Sequence, residues 1–158
     1  MLLAPRLFAS VSYFKTKHAC HDVTLYHLAT KTAACYLWHK GQGDITSNNF
    51  ASCIRDYLVT VANNSPSPLK MIILHSDGCC SQNRNILVSN CLLQFSIQTG
   101  ITVMQKHLET GHVWMEVDGV HAAIKRKLRD RQILSPVEYI QVKISARQHL
   151  KLYAVKDR

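Results

Sequence analysis

The chain has 158 residues, of which 47% are hydrophobic, and this size and composition fit one globular domain with a substantial core, not a disordered segment. No apolar stretch approaches the roughly 20 residues needed to cross a bilayer, so no membrane-spanning segment is predicted. The net charge of +9 favours polyanionic partners, nucleic acid first and anionic membrane surfaces second.

The amino-terminal half contains two strand-like segments, a helix and a third strand. Residues 23–29 and 33–39 are rich in β-forming residues and are separated by "TKT", which predicts an antiparallel hairpin. Apolar residues then recur at spacings of three and four from Phe50 to Val61, which predicts an amphipathic helix that ends at "NNSPSP". Residues 69–74 form a nearly uninterrupted apolar run, which predicts a strand buried on both faces.

The remaining segments continue the alternation of predicted strands and helices. Residues 86–98 return to helical spacing, Gly100 suits the position after a helix end, and residues 101–104 predict another strand, so that this stretch forms a βαβ unit. After a loop-like segment, "VHAAIKRKLRDR" predicts a charged helix, and Ser135-Pro136 opens a last helix. The predicted architecture is one α/β domain over residues 1–158 with the order β-β-α-β-α-β-α-α.

The cysteines bear on the cellular compartment. Cys35, Cys53 and Cys91 lie within apolar patterns and are predicted to be reduced core residues, while Cys79-Cys80 is too close for an ordinary disulfide. This indicates a reducing compartment, nuclear or cytoplasmic. The first 21 residues contain Arg and Lys but no acidic residue, the composition of a mitochondrial transit peptide, so mitochondrial targeting is an alternative.

The stretch "MIILHSDGCCSQNRN" places one carboxylate, Asp77, just past the end of the predicted buried strand. Ligands of open α/β sheets bind at such strand ends, and a carboxylate there can hold Mg²⁺ or Mn²⁺. Asp-Gly is also a common turn pair, which is the alternative. Gln82, Asn83 and Asn85 follow at the start of the next helix, where amides and backbone N–H groups can bind phosphate or simply cap the helix.

A second cluster of candidate residues lies in "GHVWMEVDGVH". Asp118 precedes the predicted charged helix, where N-capping is its plain alternative, and His121 follows one helical turn later. If this segment folds toward Asp77, two carboxylates can support in-line phosphoryl displacement. We therefore predict Asp77, Asp118 and His121 as catalytic residues, and Asp77, Asp118 and His112 as metal ligands.

The positive charge is concentrated near the carboxyl end. From Gly119 to Arg158 the chain has ten Lys/Arg residues against three acids, which is +7 of the net +9. A solvated basic face is one explanation, and contacts with nucleic acid are the other. The predicted nucleic-acid contacts are Gln82, Asn83, Lys125, Arg126, Lys127, Arg129 and Arg131.

Structural zinc is a further alternative, because the chain holds several Cys and His residues. No C-x2-C pair occurs, and two adjacent cysteines are awkward ligands for one tetrahedral ion. The possible ligands are His18, Cys20, His21, Cys79, Cys80, His112 and His121.

Taken together, these motifs resemble a family of transposon-derived animal proteins with a domain of unknown function and a ribonuclease-H-like core. The family pattern has a Trp before the first helix, a Ser-Cys on that helix, S-D-x-C-x-x-Q-N-x-N, then G-H and D-x-x-H. The matching residues are Trp38, Ser52-Cys53, Ser76-Asp77, Cys79, Gln82-Asn83, Asn85, Gly111-His112, Asp118 and His121.

The resemblance implies a three-layer ribonuclease-H-like core whose ancestral activity is Mg²⁺- or Mn²⁺-dependent nucleic-acid cleavage or strand transfer. Three departures from the pattern remove negative charge: His39-Lys40 replaces an acid, and Asn49 and Lys125 stand where Glu is often found. Compared with the family pattern, we also expect the first strand and its Asp to be missing. We therefore expect an amino-terminally incomplete, inactive transposase-derived domain. A non-catalytic basic nucleic-acid-binding module and a zinc-stabilised Cys/His interaction domain are the alternatives.

Overall fold

The computed structural model describes residues 20–39, 42–109, 114–129, 131, 133, 136–146 and 150–154. These residues form a mixed α/β structure of four helices and two small sheets. In chain order the elements are β1 (Cys20–His27), β2 (Thr32–His39), α1 (Ser47–Asn63), β3 (Met71–Asp77), α2 (Ile86–Thr99), β4 (Thr102–Leu108), α3 (Glu116–Leu128), α4 (Pro136–Ala146) and β5 (Leu150–Ala154). The predicted α/β class and element order are confirmed, with β5 as an additional strand.

The chain divides into two compact units. Unit 1 combines Met1–Asp44 with Met115–Arg158, and unit 2 is the intervening segment Ile45–Trp114. Unit 1 is therefore built from two stretches of chain that are distant in sequence. The single-domain assignment and the ribonuclease-H-like core stay predictions.

The sheet of unit 1 has β2 at its centre. β1 and β2 pair antiparallel along their whole length, which confirms the predicted hairpin, and β5 pairs parallel with β2 on its other side. Paired residues in neighbouring strands point to the same face of a sheet. Cys20 of β1 and Leu37 of β2 share one face and pack with Tyr139 and Val142 of α4.

Helix α3 covers the same face farther along β2, because Val120 and Ile124 pack against Ala33. Helix α3 begins at Glu116, so the prediction that Asp118 precedes the helix is wrong. Asp118 lies in the first turn, where its Oδ2 accepts a hydrogen bond from the Met115 backbone N–H at 2.9 Å. A carboxylate inside the first turn satisfies exposed N–H groups, which lets the helix start earlier than its apolar spacing indicates.

Unit 2 contains the predicted βαβ unit. β3 and β4 pair in parallel from Met71↔Thr102 to Asp77↔Leu108, with α2 between them in sequence. Helix α2 begins at the N-cap Asn85 and ends at Gly100, whose positive φ of 72° is the left-handed conformation that glycine adopts most readily. The predicted start of this helix and the role of Gly100 are confirmed, and the helix ends at Thr99, one residue later than predicted.

The prediction that β3 is buried on both faces is wrong. Its residues alternate between exposed and half-buried, and Met71 and Ile73 are 49% and 46% exposed. An uninterrupted apolar run shows that both faces of a strand tolerate burial. It does not show whether another part of the protein covers each face. Among the helices that the structure describes, none is long and apolar enough to cross a membrane.

Candidate functional site

Asp77 is the last residue of β3 and organises the turn that leads into α2. Its Oδ1 accepts a hydrogen bond from the Asn83 side-chain amide at 2.6 Å and lies 3.5 Å from the Cys79 backbone nitrogen. The Cys79 carbonyl in turn accepts hydrogen bonds from the backbone N–H groups of Gln82, Asn83 and Arg84. The carboxylate therefore holds a tightly folded loop in which Gln82 and Asn83 lie before the helix.

Two β4 residues extend this hydrogen-bonded group across the strand ends. The Gln105 side-chain amide donates to the Asn83 carbonyl at 2.7 Å, and the Ser76 hydroxyl lies 3.3 Å from Nδ1 of His107. Neither Gln105 nor His107 was predicted as a site residue, because the predicted strand ended at Met104. Side chains alternate between the two faces of a strand, and extending this alternation past Met104 places Gln105 and His107 in β4.

Asn85 was predicted either to bind phosphate or to cap the helix, and the structure shows that it caps the helix. Its side-chain oxygen accepts a hydrogen bond from the Val88 backbone N–H at 3.0 Å, and its amide nitrogen donates to the Gln82 carbonyl at 3.2 Å. The Asn85 side chain is therefore occupied within its own loop and helix. The proposed phosphate contacts of Gln82 and Asn83 stay predictions.

The residues around Asp77 do not by themselves complete a divalent metal centre. Mg²⁺ is typically held by one or two carboxylates together with waters and phosphate oxygens, and Oδ1 of Asp77 accepts a hydrogen bond from the Asn83 amide. Across the described ranges, no three His, Cys, Asp or Glu side chains are grouped so that they could hold a metal ion. His112 lies outside the described residues.

Asp118 and His121 lie on consecutive turns of α3, as their spacing requires. Burial lowers the pKa of His121, while the nearby Asp22 and Asp118 carboxylates raise it and Lys143 lowers it. Burial prevails, so the imidazole is neutral near pH 7. Asp118 belongs to unit 1 and Asp77 to unit 2, and their sharing of one site stays a prediction.

A buried ion pair that was not predicted lies beneath the helices of unit 1. Lys143 Nζ lies 2.7 Å from Asp22 Oδ2, and the two side chains are 0% and 4% exposed. The ammonium also lies 5.4 Å from the centre of the Tyr139 ring. Lys143 was one of the ten basic residues counted from Gly119 to Arg158, and an apolar helix face with one lysine in it is the signal that could have identified its burial.

The thiols near this ion pair remain protonated. Burial raises the pKa of Cys20, and burial together with the Asp22 carboxylate raises the pKa of Cys35. A zinc ligand is a thiolate, so Cys20 is poorly suited to the zinc alternative. Cys35 and Cys53 are free and buried and Cys91 is free and half-buried, as predicted for reduced core residues.

The basic residues at the end of α3 concentrate positive charge in unit 1. We define the basic cluster as five exposed side chains on α3 and just beyond its end. They are Lys125, Arg126, Lys127, Arg129 and Arg131. Unit 2 has four Lys/Arg and three acidic residues, a net charge of +1, so the segments of unit 1 carry +8 of the chain's +9.

Comparison with known families places the chain. A family model described as "Domain of unknown function (DUF8701)" matches residues 7–154, and the chain therefore belongs to this family. A comparison with curated proteins finds no match.

Proposed function

We propose that this chain is a non-cleaving nucleic-acid-binding domain that descends from a transposase with a ribonuclease-H-like core. The observation that carries the proposal is the basic cluster, five exposed cations within seven positions of unit 1. Each cation that contacts a phosphate releases a condensed counterion, and this release supplies most of the affinity of non-specific nucleic-acid binding.

Stabilisation of the helix is not a sufficient explanation for the cluster. Lys125, Arg126 and Lys127 lie in the last turn of α3, where cations interact favourably with the helix dipole. Arg129 and Arg131 lie beyond Leu128, the last residue of the helix, and continue the positive charge past that turn. A phosphate-binding surface accounts for the cations in the last turn of α3 and for the two that follow it.

The proposed ancestry rests on element order and on Asp77. An antiparallel hairpin, a helix and a parallel βαβ unit with an acid at the carboxyl end of its first strand are parts of a ribonuclease-H-like core. Because Asp77 is hydrogen-bonded to Asn83 within its loop, and His39, Asn49 and Lys125 stand where the family pattern has acids, we assign no catalytic step to Asp77. In the proposed function Asp77 shapes the loop before α2.

The test is a comparison of two double variants with the same change in charge. Lys125→Glu/Arg129→Glu reverses two cations of the cluster, and Lys70→Glu/Lys106→Glu reverses two exposed lysines of unit 2. Fluorescence anisotropy with a labelled oligonucleotide measures affinity over a range of salt concentrations. Five phosphate contacts predict an affinity that falls about 100-fold between 50 and 200 mM salt for a single strand.

We expect the first double variant to lose about tenfold or more in affinity and to show a shallower salt dependence, because each lost phosphate contact lowers the slope by about one unit or less. The unit 2 variant should differ little from the parent protein. Equal losses in both double variants, or an affinity of the parent protein that does not depend on salt, would overturn the proposal.

A further inference from the structure

Unit 1 contains a pocket beside α4, partly open to solvent and called the cavity below, that the proposed function does not use. Its volume is about 380 Å³, and its lining combines Arg131 and Ile133, which follow α3, with one face of α4. This volume lies at the small end of the range of ligand-binding pockets, roughly 300 to 1,000 Å³. The lining residues are Arg131, Ile133, Glu138, Gln141, Val142 and Ser145.

The lining has an apolar part and a polar part. Ile133 and Val142 are each 6% exposed and provide a buried apolar surface. Glu138, Gln141 and Ser145 follow the spacing of one helix face. Glu138 and Gln141 provide a carboxylate and an amide, while the Ser145 hydroxyl donates to the Val142 carbonyl at 2.9 Å. This combination of an apolar surface with hydrogen-bonding groups of both kinds suits a flat heteroaromatic ring with polar edges.

Arg131 connects this cavity to the basic cluster. It lies just beyond α3, where its backbone N–H donates to the Leu128 carbonyl at 3.3 Å, and its side chain belongs both to the cluster and to the cavity lining. A polynucleotide whose phosphates follow the cluster would therefore present its next nucleotide at the cavity.

We propose that this cavity binds one unpaired base of a single-stranded nucleic acid while the basic cluster contacts the phosphates on one side of it. The inference rests on the proposed function and specifies its substrate class. Arg131 and Glu138 together leave the cavity lining without net charge, so the cavity favours a phosphate less than the basic cluster does. A base in a duplex is excluded, because its polar edge is already paired and its ring is stacked.

The test uses substitutions that change the space in the cavity and leave the charge unchanged. Ser145→Trp places a large side chain in the cavity lining, whereas Ile144→Trp adds the same side chain at a neighbouring position that is 53% exposed and outside the lining. Affinities for a mixed-sequence single strand and for the matching duplex are measured at one salt concentration. Thermal unfolding checks that both variants are folded.

We expect the parent protein to bind the single strand more tightly than the duplex, about fivefold or more, because one additional base contact contributes on this order. Ser145→Trp should remove the preference, and Ile144→Trp should retain it. Equal affinities of the parent protein for both forms, or a preference that survives in folded Ser145→Trp, would overturn the base-binding inference.

The same measurements separate failure of this inference from failure of the proposed function. If Lys125→Glu/Arg129→Glu weakens binding but Ser145→Trp does not alter the single-strand preference, the basic cluster binds nucleic acid and the cavity does not bind a base. If the parent protein binds neither form of nucleic acid, both the proposed function and this inference are wrong.

The Glu138 carboxylate predicts which bases fit best. A carboxylate accepts hydrogen bonds from the exocyclic amino groups of cytosine and adenine, which thymine lacks. We expect oligo(dC) to bind more tightly than oligo(dT), and Glu138→Ala to reduce the ratio of the two affinities toward one. Using the ratio cancels the general gain in phosphate affinity from removing a negative charge. An unchanged ratio in Glu138→Ala would contradict this assignment.

Discussion

Lys143 and Asp22 form an ion pair that unites α4 with β1 in the interior of unit 1, with 2.7 Å between Nζ and Oδ2. Removing one partner leaves the other charge buried without its counterion. We expect Asp22→Asn or Lys143→Met to lower the free energy of unfolding by about 3 to 5 kcal/mol. Urea unfolding followed by circular dichroism measures each change.

The double variant Asp22→Asn/Lys143→Met is the decisive control for this ion pair. Because it removes both charges, it should be clearly more stable than the sum of the single effects predicts. Additive losses in the double variant would show that the two side chains act independently and that their short separation does not reflect energetic coupling.

His121 makes stability dependent on pH. Burial lowers its pKa below the ordinary value of about 6.5, so the unfolded chain binds a proton more readily than the folded chain. This contribution to stability is complete above pH 6.5 and is lost as the pH falls from 6.5 toward the lowered value. The slope for one proton is at most about 1.4 kcal/mol per pH unit.

The measurement for His121 is the free energy of unfolding at several pH values between 5 and 8. His121→Gln should flatten the decline on the acidic side, whereas His75→Gln, at an exposed position of β3, should leave it unchanged. A parent protein that is equally stable at pH 5 and pH 7 would contradict this prediction.

Two glycines should respond to alanine in opposite directions. Gly100 has a φ of +72° at the end of α2, whereas Gly119 lies within α3, and a Cβ atom at either position meets nothing within 4 Å. Gly100→Ala should destabilise the protein by about 1 kcal/mol through backbone strain. Gly119→Ala should stabilise it by about 0.5 to 1 kcal/mol, because alanine favours the helix. Thermal unfolding measures both variants. Midpoint temperatures that shift in the same direction would show that backbone conformation does not govern these sites.

Asp77 provides the test of catalysis. We expect no Mn²⁺-dependent cleavage of single- or double-stranded nucleic acid above the level of Asp77→Ala, because a pair of metal ions needs several carboxylates and His39, Asn49 and Lys125 stand where the family pattern has acids. A gel assay with both substrates measures cleavage. Robust activity of the parent protein that disappears in Asp77→Ala would establish a nuclease and contradict our proposal.

The sequence was sufficient to predict elements whose periodicity and end signals agree. In α2 the helical spacing, the N-cap Asn85 and the C-terminal Gly100 all indicate the same segment, and the structure confirms each of them. The hairpin was also recognised, although β1 begins at Cys20, three residues before its predicted start. Local chemistry determines these features, so one sequence contains the necessary information.

Features that depend on distant parts of the chain were missed. β5 is only five residues long, and its place in the sheet depends on pairing with β2. The burial of Lys143 likewise depends on Asp22, which is far away in sequence but lies on the face of β1 beneath α4. The lysine within an apolar helix face is visible in the sequence, but no local pattern identifies the distant acid that pairs with it.

The pairing of β2 with β5 also determines when unit 1 can be completed during synthesis. Ala33 pairs with Leu150, so the edge of β2 that receives β5 emerges from the ribosome long before its partner does. All contacts within unit 2 can form in that interval, because both ends of unit 2 have already emerged. The edge of β2 in the nascent hairpin therefore lacks its β5 partner while residues 40–149 are synthesised, and during this interval it is exposed to incorrect strand pairing.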